Sequence, residues 1–161
     1  MSEVKTNVTG LETVLKNLNQ EIKEIKNKSL RGMIRSAILI RRHMEFNSPT
    51  IPVDTGNLRA SWFILTNLTG IEEGENPEFK GEKAPEMALQ HSKTIERYRT
   101  ALSVKKEPAL LMGFTANYAF YVHEATHKEF KRPESGAKFL ESALKANYNN
   151  ILKIIREEAK V

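Results

Sequence analysis

Pro52-Val53-Asp54-Thr55-Gly56-Asn57-Leu58-Arg59-Ala60-Ser61-Trp62-Phe63-Ile64-Leu65 is the stretch in which helical chemistry gives way to a strand. Pro49 and Pro52 end any helix that precedes them, because a ring closed on the backbone nitrogen removes an amide donor and clashes with the turn before it. Asp54, Thr55, Gly56 and Asn57 are turn formers. Leu58, Ala60 and Trp62 then alternate with Arg59 and Ser61 and run on into Phe63-Ile64-Leu65. That period of two predicts a strand over Leu58–Leu65, entered from a tight turn and carrying a core tryptophan.

Upstream, Thr9-Gly10-Leu11-Glu12 matches a capping box, in which the threonine oxygen and the glutamate carboxylate each satisfy an orphan amide at a helix start. Leu11, Val14, Leu15, Leu18, Ile22 and Ile25 follow at steps of three and four, and the stripe resumes through Leu30, Met33, Ile34, Ala37, Ile38 and Met44. This predicts a helix over 10–45, with Ser29 and Gly32 the points where it would break. Downstream, 66–83 carries four Gly or Pro positions among Glu and Asn and predicts an exposed, mobile loop. Met87, Leu89, Ile95, Tyr98 and Leu102 predict a second amphipathic helix within 84–106. Two apolar runs, 109–115 and 118–122, predict strands. After a polar turn at 126–136, a last helix starts near Ser135 and carries Phe139, Leu140, Ala143, Leu144, Tyr148, Ile151, Leu152 and Ile155. The order α, β, α, β, β, α predicts one α+β domain over 1–161: a small, mainly antiparallel sheet packed against long N- and C-terminal helices, with a loop and helix inserted at 66–106.

The chain has 161 residues, 40% of them hydrophobic and 28% charged, the composition of an ordinary globular domain. No apolar run approaches the roughly 18 residues of a spanning helix, and the N-terminus lacks the apolar region of a secretory signal, so an intracellular protein without membrane contact is expected. The absence of cysteine excludes disulfides, thiolate metal sites and a cysteine nucleophile. The net charge of +5 is unevenly spread, because residues 71–86 hold six Glu against two Lys. Lys23, Lys26, Lys28, Arg31, Arg35, Arg41 and Arg42 are interrupted by Glu21 and Glu24 and lack interleaved aromatics. They are expected to be a solvated face rather than a nucleic-acid stripe.

One motif proposes chemistry. His123-Glu124-Ala125-Thr126-His127 is an H-E-x-x-H sequence, which on a helix places two histidines on one face to hold zinc while the glutamate acts as general base. That chemistry requires a helix. Tyr118–Val122 has strand composition, Lys128 and Glu129 follow at once, and no third ligand stands out, so chance at a strand end is the preferred reading and a zinc hydrolase the alternative. No phosphate-cradling glycine motif occurs, and Ser61, His123 and Asp54 lack a nucleophile-elbow context. Gly113 to Glu124 concentrates four aromatics within eight residues and reads as a core strand.

These segments resemble the tail-completion, or head–tail joining, proteins of the neck of long-tailed bacteriophages. The likeness rests on an N-terminal amphipathic helix opening with Gly10-Leu11, and on a block with Asp54-Thr55-Gly56, Leu58-Arg59 and Ser61-Trp62. It continues in Asn117-Tyr118-Ala119 to Val122-His123-Glu124, and in Arg132-Pro133 followed by Lys138-Phe139-Leu140 and Ala143-Leu144. Residues 66–106 depart from the shorter members. The resemblance implies a non-enzymatic virion protein, assembled in the host cytoplasm, without cofactor or metal. It further implies a homo-oligomeric ring of six between the head connector and the tail tube or tail terminator, through which double-stranded DNA passes without sequence-specific binding. Asp54, Thr55, Gly56, Leu58, Arg59, Trp62, Tyr118, His123, Glu124, Arg132 and Pro133 would then fix the fold or the interface.

Overall fold

The computed structural model describes residues 11–68 and 70–160. In chain order the elements are α1 (Leu11–Phe46), α2 (Asn57–Ala60), β1 (Trp62–Thr66), β2 (Gly70–Glu73), α3 (Ala84–Ser103), β3 (Leu110–Phe114), α4 (Ala119–Glu124) and α5 (Phe139–Ala159). The three strands form an antiparallel sheet in the order β2-β1-β3, so the α+β class expected from the sequence holds. β1 is the central strand and every one of its residues is buried. Trp62 and Ile64 face α1 and α5, in a core with Ala37, Ile40, Met44, Phe139 and Ala143. Phe63 and Leu65 face the other way and pack with Ile95 and Leu102 of α3. Four consecutive large apolar residues are therefore consistent with a strand covered on both sides, each burial contributing about 1.5–3 kcal/mol.

α1 and α5 form an antiparallel pair. Met44 and Ala143, both fully buried, meet at one end, and Lys28 Nζ donates to the Lys160 carbonyl at 3.3 Å at the other. Between them, a Cβ added at Gly32 would lie 2.9 Å from the Ile155 Cα, so glycine sets the approach of the two backbones. α1 is continuous through Ser29 and Gly32, and the break allowed by the sequence does not occur. α1 spans roughly 54 Å at 1.5 Å per residue. α5 covers only its C-terminal part, and Val14, Leu15, Leu18, Ile22 and Ile25 remain exposed.

The inserted segment is tied in by a histidine. His91 on α3 is 1% exposed; its Nε2 lies 2.7 Å from the Gly74 carbonyl and its Nδ1 lies 2.8 Å from Thr115 Oγ1. The carbonyl can only accept, so Nε2 carries the proton, and in the neutral ring Nδ1 accepts from the Thr115 hydroxyl, which also lies 3.3 Å from the Ser61 carbonyl. Gly74 has φ 83°, and a Cβ there would fall 2.1 Å from the Trp62 carbonyl, so only glycine fits. Burial lowers the His91 pKa below its ordinary value and outweighs the opposing bond to Gly74.

Several local expectations give way. Leu58–Leu65 is not one strand: Gly56 is left-handed at φ 91°, Asn57–Ala60 makes a helical turn, and Ser61 Oγ donates to the Leu58 carbonyl at 2.8 Å, so β1 starts only at Trp62. The loop expected over 66–83 contains β2, which pairs with β1 across a bulge between Ile64 and Leu65. Within Tyr118–Val122, Tyr118 caps α4 and Ala119–Val122 are helical. Phe120 and Tyr121 are 69% and 74% exposed rather than core, because aromatic content follows burial only where the backbone presents it to a neighbour. α5 starts at Phe139, since Ser135 bridges to Thr50 and the left-handed Lys138, at φ 59°, interrupts any helix begun before it. Thr9 and Gly10 of the capping box lie outside the described residues. Among the described residues no helix is long and apolar enough to cross a membrane.

Gly32→Val should lower stability by about 2 kcal/mol, read as a lower urea midpoint at unchanged m, because the added carbons meet backbone. His91 binds fewer protons folded than unfolded, so its contribution is complete above the ordinary histidine pKa and is lost as pH falls below it. The drop in urea midpoint between about pH 7 and pH 5 should therefore shrink in His91→Gln.

Candidate functional site

The loops on either side of α2 and α4 enclose a cleft of about 250 Å³. Asp54, Thr55 and Gly56 form one wall, Leu58, Tyr118 and Val122 the base, and Phe130, Lys131 and Arg132 the other wall. Main-chain bonds hold the walls in place. Thr50 N–H donates to the Glu134 carbonyl at 2.9 Å, Gly136 N–H to the Thr50 carbonyl at 3.2 Å, and Ile51 N–H to the Met44 carbonyl at 2.8 Å. Lys131 pairs with Asp54 between the walls, both largely exposed, a contact worth little in energy. Burial, and secondarily the Asp54 carboxylate, raise the Tyr118 pKa above the ordinary phenol value. Asn57 fixes the turn from behind: its Oδ1 accepts from Lys80 N–H at 2.8 Å and its Nδ2 donates to the Lys80 carbonyl at 2.9 Å.

Six of the residues singled out in the sequence thus line one cleft: Asp54, Thr55, Gly56, Leu58, Tyr118 and Arg132. The other five lie elsewhere. Trp62 is in the core, where it donates Nε1–H to Glu73 at 3.2 Å, meets Phe114 edge-on at 5.2 Å and carries the Arg41 guanidinium at 5.6 Å. Arg41 is accordingly not part of a solvated basic face; its side chain is 14% exposed, bonded to the Arg59 carbonyl and paired with Glu45. Burial lowers its pKa, against the pull of Glu45. Arg59 shares Glu45 at 3.9 Å, beyond hydrogen-bond reach, and Arg59 Nε and Arg41 Nη1 are buried without hydrogen-bond partners among the described residues. Pro133 sits in the exposed turn beyond Arg132.

His123 and Glu124 end α4 and build the start of α5. Lys138, the residue before α5, is left-handed at φ 59° and makes no side-chain cap. His123 takes that role: its carbonyl accepts from Lys138 N–H at 2.7 Å, and its Nε2 accepts from Glu141 N–H, in the first turn of α5, at 3.4 Å. Nδ1–H then donates to Glu124 at 2.8 Å, and the ring meets Phe139 edge-on at 5.0 Å. The Glu124 carboxyl is held below its ordinary pKa, first by its bond to Lys138 and then by His123. His127 lies beyond the helix, in an exposed turn. The motif therefore lacks the shared helical face a zinc pair requires, and both His123 nitrogens are occupied. Among the described residues no three histidine, aspartate or glutamate side chains gather as metal ligands.

Asn57 and His91 are the organising residues that the sequence does not reveal. Asn57 stands in a stretch that any turn would explain, and His91 matches no spacing motif. Compared with protein-family models, with curated proteins and with solved structures, the chain gives no significant match.

Replacing His123 by Ala should cost about 1–2 kcal/mol, the value of a helix cap with some packing, whereas His127→Ala should stay within about 0.5 kcal/mol of the parent. Urea unfolding of both variants checks this. Equal losses that are reversed by added zinc would revive the metal reading.

Proposed function

We propose that this chain is a structural subunit of a bacteriophage neck, a head–tail joining protein that acts by assembly rather than catalysis. The observation that carries the reading is the convergence of separate segments on one cleft. Asp54-Thr55-Gly56 precede α2, Leu58 lies within it, Tyr118 precedes α4 and Arg132 lies between α4 and α5, yet all six line the same recess. The resemblance rests on these same blocks. At about 250 Å³ the recess falls below the roughly 300–1,000 Å³ of small-molecule sites and suits one or two side chains of a protein partner.

The remaining chemistry supports assembly. Ser61 is fully buried and its hydroxyl is bonded to the Leu58 carbonyl, so it is not poised as a nucleophile. In this reading six copies form a ring between the head connector and the tail tube, with the cleft receiving a neighbouring neck or tail subunit. A net charge of +5 with its acidic part gathered in one segment suits a passage in which DNA slides without being held. The protein then belongs to the virion neck and needs no cofactor.

Negative-stain electron microscopy of the purified chain, alone and mixed with tails from a phage whose genome encodes it, tests the role. Rings, or caps on the open ends of tails, are expected. Particles that never assemble and never bind tails would sink it.

A further inference from the structure

The N-terminal arm of α1 carries an apolar seam that nothing among the described residues covers. The α1–α5 pairing reaches Lys28, where its Nζ meets the Lys160 carbonyl, and residues 11–27 run on for about 25 Å. Along them Leu15, Leu18, Ile22 and Ile25 step by three, four and three and are 49%, 53%, 43% and 38% exposed. Continued by the same steps, the line reaches Ser29, Gly32 and Ser36. At Gly32 an added Cβ would lie 2.9 Å from the Ile155 Cα of α5, and Ser36 is 4% exposed. The face that α5 covers in the body of the molecule is thus the face left bare in the arm. Bare, it leaves a stretch of helix whose apolar stripe contributes no burial, although such burial supplies most of a helix's stability.

We propose that the arm pairs with the arm of a second copy of this chain, as a short parallel two-stranded coil in register. Leu15 and Ile22 occupy the a positions and Leu18 and Ile25 the d positions, so each layer of the seam is apolar. The flanking charges favour this partner and this direction. Glu21 falls at g and Lys26 at the following e, the pair that faces across a parallel coil, so each Glu21 meets the second copy's Lys26. Laid antiparallel with Leu18 opposite Ile22, the helices would instead set Glu21 against the second copy's Glu21. Within its own chain Lys26 already meets Glu107, an exposed carboxylate that leaves the lysine within reach of another. The outer f positions are Thr13, Gln20 and Asn27, polar and exposed, as a solvated back requires.

The chain has no cysteine, so an introduced one reports on a single position. In the full-length protein, Leu18→Cys should oxidise to a covalent dimer about tenfold faster than Gln20→Cys on the outer face, because only facing d positions bring two sulfurs within bonding distance. By light scattering, the double variant Leu18→Glu/Ile22→Glu should lose the oligomeric mass of the parent while keeping its cooperative urea transition, since both side chains lie outside the core. A parent that is monomeric at every concentration overturns the pairing. So does a double variant with unchanged mass, or a Gln20→Cys variant that cross-links as fast as Leu18→Cys. The pairing stands apart from the joining role: rings that survive the double variant overturn the arm contact alone, and arm-paired chains that never build rings or cap tails overturn the joining role alone.

Discussion

The five residues of β1 lie between two helical layers, and much of the rest of the molecule follows from that placement. A strand buried on both faces favours apolar residues on both, so Trp62, Phe63, Ile64 and Leu65 are all large and apolar, and the one polar residue, Thr66, stands at the strand's end. Its edges must also be satisfied. β3 takes one in unbroken register from Trp62–Phe114 to Thr66–Leu110, and β2 takes the other across a bulge. Each neighbour inherits a requirement: α1 and α5 must cover Trp62 and Ile64, and α3 must cover Phe63 and Leu65.

Polar groups are admitted to this interior only with partners. His91 bridges Gly74 and Thr115, and Asn57 bonds both backbone groups of Lys80, so neither leaves a buried donor or acceptor unanswered. Arg41 is the harder case. Its guanidinium lies against the Trp62 ring and is paired with Glu45, while Nη1 has no hydrogen-bond partner among the described residues. An aromatic chain then runs from Trp62 through Phe114 and Phe139 to His123. It links the turn that shapes one wall of the cleft to the residue that starts α5, and so holds the cleft's two halves in fixed relation.

The helices and the class of the fold were legible because their signal is periodic and long. α1, α3 and α5 carry apolar residues at steps of three and four along most of twenty residues or more, broken only at 26–29 in α1 and around His91 in α3, and such a pattern has few alternatives. Short elements were not legible. Asn57–Ala60 alternates in polarity like a strand, yet Gly56, Asn57 and Ser61 close a helical turn through bonds that a polarity pattern does not encode. Tyr118 to Glu124 has the aromatics of a strand and the hydrogen bonds of a helix, Val122 N–H donating to the Tyr118 carbonyl. Of the site, the cleft residues were named in advance from their segments, but that they meet depends on Thr50 pairing with Ser135, a contact across 85 positions of sequence. His123 stands out in the sequence by its spacing from His127, whereas the helix start that it caps leaves no mark in that spacing.

The third layer changes what residues 66–106 are. By sequence they are an insertion, a loop and a helix added between the two halves of a simpler plan. By structure they provide an edge strand, the cover for one whole face of the sheet, and the histidine that bridges Gly74 to Thr115. Excised, they would leave Phe63, Leu65 and Leu111 facing water and strip β1 of its pairing on one side, an open, sticky sheet of the kind that aggregates. The segment is therefore not a detachable appendage that evolution or an engineer could trim independently. Any shorter chain built on the same helices must find another way to roof that face, by a partner subunit or by a polar redesign of the strand itself.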